Sequence, residues 1–187
     1  MSAPRADAMT EAWRVPPVSV LLAAVALIAC AEVGGASMVQ WKPGVTRWAR
    51  DTMLARPAVH GLVGVRDVDE QILDEALTRL DGGLRLFHLH AEGMGTVIIV
   101  TTMVATTLVA SDTLRRAIVV LLTVGGAVYP FGYLLWSALI PFAGVTPAKR
   151  IAEWVVWIPF GSAAIAATWL LVWALGTRLV TRRRQPT

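Results

Sequence analysis

Charge is scarce in this sequence. Charged residues are 16% of its 187 positions, against 56% apolar, a balance that separates the chain from soluble ones. Cysteine is nearly absent: Cys30 alone can form neither an intrachain disulfide nor a cysteine-rich metal site. The familiar catalytic signatures are missing as well. There is no Walker loop, Rossmann glycine pattern, nucleophile elbow, H-E-x-x-H zinc helix, CxxCH haem attachment or DNA-binding motif. Nor is there an internal repeat. With only three histidines, any imidazole site must draw on His60, His88 and His90.

What the chain has instead is long apolar runs, and a mean hydropathy of +0.60. About 20 apolar residues span a bilayer core of roughly 30 Å. Four segments meet that length: 15–39, 84–110, 117–142 and 154–180. The predicted fold class is all-α, a polytopic membrane protein built as an antiparallel four-transmembrane-helix bundle over 15–180. Residues 1–14 read as a disordered cytoplasmic N-terminus and 181–187 as a basic cytoplasmic tail. The outer loop 41–83 is the only sizeable polar stretch. Within it Val68, Ile72, Ala76 (or Leu77) and Leu80 recur at helical spacing between Asp67-x-x-Glu70 and Asp81-Gly82-Gly83. That pattern predicts a short amphipathic helix, with Glu75 and Arg79 paired across one turn. A weaker interfacial helix is expected over 46–55. Pro130 should kink the third span, Gly34-Gly35 should allow close helix approach in the first, and the threonines of the second should bond back to their own helix.

Orientation follows from the arginines. Arg115-Arg116 in a very short loop and Arg182-Arg183-Arg184 after the fourth span place the termini in the cytoplasm, in the inner membrane of a bacterial-type cell. The net charge of +4 and pI near 10 are then a topology signal, and the partner they imply is a lipid bilayer, with no nucleic acid. Leu27-Ile28-Ala29-Cys30 resembles a lipobox. The acids Asp7 and Glu11 before it, and the apolar run after it to Val39, favour an uncleaved first helix over lipidation of Cys30.

The second span opens with Phe87-His88-Leu89-His90-Ala91-Glu92-Gly93-Met94-Gly95. Ionisable groups are expensive in a bilayer, so this cluster is a functional-site hypothesis by default. By helix rise Glu92 lies about 10 Å inward of Arg85, and Glu32 about 12 Å inward of Gln40. Antiparallel threading brings both to one depth in the outer leaflet, along with Tyr129, Tyr133 and Trp157. His88 and Glu92, four residues apart, share a helix face; His90 and Met94 share another. A transition metal (iron, zinc, copper or manganese) would take His88, Glu92 and Glu32. A b-type haem would use one or both of His88 and His90, with His60 in reserve from the loop, or Met38 or Met94 as a partner ligand. The plainer alternatives are interfacial histidines without a ligand, carboxylates as interhelical glue and tyrosines as packing.

Three functions fit these residues. One is haem or metal binding near the outer face for electron transfer or sensing. Another is a non-catalytic subunit or assembly factor, docked as a homo-oligomer or on a membrane-complex partner. The third is a proton-coupled transporter using Glu32 and Glu92.

Overall fold

The computed structural model describes residues 13–183; what the sequence led us to expect of 1–12 and 184–187 lies outside them. All regular structure among the described residues is helical. Among them, four stretches are long and apolar enough to cross a membrane: Val18–Leu54, Arg66–Leu108, Asp112–Ala143 and Val145–Thr181. In chain order the helices are α1 (Val18–Leu54), α2 (Pro57–His60), α3 (Arg66–Leu108), α4 (Asp112–Val128), α5 (Phe131–Ala143), α6 (Val145–Ala152) and α7 (Ser162–Arg183). A π-helical run, Glu153–Gly161, joins α6 to α7.

The largest departure from the sequence reading is the outer loop. The predicted amphipathic helix is not a separate element. It is the first part of α3 and runs without a break into the second span. The segment 46–55 likewise falls almost wholly within α1, which passes through Lys42-Pro43-Gly44. Only 55–65, with α2 inside it, connects the two long helices. Gly82-Gly83 does not stop α3 because Gly83 serves a tertiary contact. A Cβ there would collide with Ser137 Oγ and stand 3.3 Å from the Tyr133 carbonyl oxygen on α5. Close approach to α5 thus outweighs the local tendency of glycine to end a helix. Glu75 and Arg79 do pair, at 3.6 Å.

Two cores lie along the molecule. One joins Ala24, Leu27 and Ala31 of α1 to Phe87, Ala91 and Ile98 of α3, Leu122 of α4 and Ala167 of α7. The other lies around the α1–α3 connection: Ala49, Met53, Leu73, Ala76 and Leu80 with Ile140 and Ala148. Partners on α3 fall in number as those on α1 rise. Gly95 packs on Ala24, Asp81 pairs with Lys42 at 3.1 Å, and Glu70 pairs with Arg50 at 2.6 Å. Exposed ion pairs contribute about 0–1 kcal/mol each, so the apolar contacts hold this register.

The third span is interrupted at Tyr129-Pro130, as proline predicts. The turn is closed by Gly132 N–H to the Tyr129 carbonyl at 3.1 Å and Tyr133 N–H to the Pro130 carbonyl at 3.0 Å. Gly144 alone separates α5 from α6, at φ +81° and ψ 164°, a backbone region open almost only to glycine. Thr101 and Thr102 bond back to the carbonyls of Val97 and Ile98. Arg14, expected in a disordered tail, is held at both backbone groups: its N–H donates to Thr107 and its carbonyl accepts from Thr106.

Candidate functional site

The polar cluster lies in the middle of α3, where 3.6 residues per turn send successive side chains about 100° apart. His88 points at α1. Its Nδ1 lies 2.8 Å from the Ala31 carbonyl oxygen. A carbonyl only accepts, so Nδ1 carries the proton. The ring packs so closely on Gly35 that a Cβ there would be 2.9 Å from Cε1. Gly35, which the sequence marked only as a small residue, is what admits the imidazole.

His90 points the other way, toward α5. Its Nδ1 donates to its own helix at the Leu86 carbonyl, 2.8 Å away. In the neutral ring Nε2 is then an acceptor, and it faces the Tyr133 hydroxyl at 3.4 Å. Tyr129 and Tyr133 are bonded at 3.0 Å. The proton order follows: Tyr129 donates to Tyr133, which donates to His90. One turn separates the two tyrosines on either side of the Pro130 break, so the kink presents both hydroxyls to α3. The His90 and Tyr133 rings stack at 4.5 Å between centroids, and Trp157 lies 4.8 Å beyond Tyr133. Trp136 completes the group 6.2 Å from Trp157.

Trp157 is carried by the π-helical run. Pro159 lacks the N–H that an α-helix would bond to the carbonyl four residues back, and the wider winding turns Trp157 inward onto Gly132. Its Nε1 is buried with no hydrogen-bond partner among the described residues. Met94 lies apart from this stack, its methyl against Gly126 of α4.

His60 does fold back over the end of the molecule, where its Nε2 donates to the Pro141 carbonyl of α5 at 3.1 Å. The carboxylates behave differently. Glu32 and Glu92 are both exposed, and neither side chain has a hydrogen-bond or ion-pair partner among the described residues. Glu32 follows Ala31, which faces α3, and is therefore rotated out of the interface. Glu92 sits one turn beyond His88 but about 40° further around α3, enough to leave the contact. The expected donor set of His88, Glu92 and Glu32 does not converge, and among the described residues no three His, Cys, Asp or Glu side chains do.

A cavity lies elsewhere. A groove of about 640 Å³ runs between α1, α3 and α5, lined by residues including Cys30, Val33, Trp41, Leu84, Phe87 and Phe131, with no histidine or glutamate in its wall. What the polar arrangement can do is therefore specific. His88 ties α1 to α3, His90 with the tyrosines ties α3 to the kinked third span, and His60 ties the α1–α3 connection to α5. The chain matches no family model, no curated protein and no solved structure.

Proposed function

We propose that the chain is an antiparallel four-helix protein of a bacterial-type inner membrane, with both termini cytoplasmic, and that it works as a non-catalytic subunit of a larger membrane assembly. The observation that carries this is the outward placement of Glu32 and Glu92. Both lie within segments apolar enough to span a bilayer, yet both are exposed. Intramembrane carboxylates nearly always face a protein interior or a water-filled cavity, and a charge facing lipid costs on the order of 2.5–3.5 kcal/mol or more. A neighbouring protein that covers them removes that cost.

The face is also shaped for a neighbour. On α3, Leu89, Glu92, Gly93, Thr96 and Val100 form one exposed stripe. A Cβ at Gly93 would meet nothing within 4 Å. Small and polar residues in such a stripe let a second helix approach closely and exchange hydrogen bonds. The cofactor reading has less support, because the histidine nitrogens facing carbonyls are engaged as struts and the proposed ligands point apart. The transporter reading has less again, since Glu32 and Glu92 open on the outside of the helix pair and not on a shared path.

The test is Gly93→Leu, in nanodiscs and in mild detergent. The wild type should be larger than one chain, as a homo-oligomer or with another membrane subunit. The variant should be monomeric but folded, with unchanged helical circular dichroism, because a Cβ at this position meets nothing within 4 Å. A wild type that is monomeric by subunit counting would overturn the proposal. Stoichiometric haem or metal, lost in His88→Ala or His90→Ala, would restore the cofactor reading.

A further inference from the structure

We infer that the groove between α1, α3 and α5 is a binding site for one anionic phospholipid, its acyl chain along the apolar wall and its phosphate at a basic rim. The wall of the groove is apolar from Cys30 to Trp41 on α1, with Phe87 and Leu84 of α3 behind it and Leu134 of α5 opposite. By helix rise the distance from Cys30 to Lys42 is about 18 Å, close to the ~15 Å that one leaflet contributes to a 30 Å hydrocarbon core. The volume of about 640 Å³ falls inside the ~300–1,000 Å³ of ligand sites that enclose most of their occupant.

Toward its Trp48 end the groove is bordered by charge, and that charge is unbalanced. Lys42 and Asp81 both line the groove and pair at 3.1 Å. Asp81 is also held by Arg85 at 2.9 Å. Two cations thus share one carboxylate, leaving a net positive charge where a headgroup would sit. Trp41 and Trp48, both exposed, flank the same end, as indoles do at a membrane interface. A long apolar trough bordered toward one end by a net cation selects an amphiphile with an anionic head. A zwitterionic lipid fills the trough equally well but gains less at the rim.

The site is on a different flank from Glu92 and Gly93, neither of which lines it, so it stands whether or not the protein assembles. The experiment measures lipid retained by the full-length protein after purification in mild detergent, by native mass spectrometry, with added phosphatidylglycerol or phosphatidylcholine of equal chain length. One uncompensated basic residue near an anionic headgroup contributes about 1 kcal/mol, or about a fivefold preference. We expect one phosphatidylglycerol per chain, preferred about fivefold. Lys42→Gln with Arg85→Gln should erase the preference while keeping the chain-dependent binding. Ala138→Phe, an exposed position in the groove wall, should reduce retention of both lipids. Equal retention of the two lipids by the wild type would overturn the inference. So would an Ala138→Phe variant that holds phosphatidylglycerol as the wild type does, or a polypeptide recovered in the groove in place of lipid.

Discussion

Replacing Gly125 by alanine tests the packing of α4 against the fourth span. A Cβ at this position would stand 2.7 Å from the Phe160 carbonyl oxygen, 2.8 Å from the Ala164 nitrogen and 3.1 Å from the Ala163 Cβ. Ordinary contact begins at 3.4 Å. The first two atoms are backbone, so no rotamer change relieves the clash and the helices must separate. Separation loosens Ile118 and Leu122 from Ala167 and Leu171, all buried in one cluster. Overpacking of this kind costs about 1–3 kcal/mol, and a clash with rigid backbone belongs at the upper end. Alanine recovers about 1 kcal/mol of helix propensity, leaving a net loss of about 2 kcal/mol. Gly176→Ala is the control: nothing lies within 4 Å of its Cβ, so only the propensity gain remains. The assay is a reversible detergent titration of tryptophan fluorescence in bicelles. The two variants should move in opposite directions, about 3 kcal/mol apart. If Gly125→Ala is as stable as Gly176→Ala, the helix interface described here is wrong.

The same titration checks three further expectations. His88→Ala loses the bond to the Ala31 carbonyl and should cost about 1–2 kcal/mol; because Gly35→Ala clashes with the same ring, the double variant should lose less than the sum of the singles. Tyr133→Phe leaves His90 without a donor and Tyr129 without an acceptor, for about 1–3 kcal/mol, whereas Tyr129→Phe removes only the first donor of the series and should cost less. Gly144→Ala forces a side chain into a glycine-only backbone region and should cost about 1–3 kcal/mol, visible as a lowered midpoint without change in helical circular dichroism.

The four long apolar helices were legible because hydropathy over about 20 residues is a property of the segment itself. The Pro130 break was legible for a similar reason: proline acts on its own helix. The continuity of α1 and α3 was not. Pro43, Gly44, Gly82 and Gly83 carry local stop signals, and at Gly83 contact with a distant part of the chain, Ser137 on α5, overrides the signal. The π-helical run gave no local signal beyond Pro159, so the inward turn of Trp157 could not be read. In the polar cluster, spacing placed His88 and Glu92 on one face of α3, but a face is broader than an interface. A rotation of about 40° separates a side chain that reaches α1 from one that does not, and only the packed structure fixes where that boundary falls. The groove was invisible for the same reason: its wall comes from α1, α3 and α5 together, and no one segment announces it.

The central claim is that protein covers the Glu92–Gly93 flank of α3 in the bilayer. The most direct measurement places a photoreactive amino acid at position 93 in native membranes and irradiates it. One discrete adduct with a polypeptide is expected, either a second copy of this chain or a single other membrane subunit. Adducts with lipid alone would contradict it, and would leave Glu92 facing hydrocarbon without an explanation.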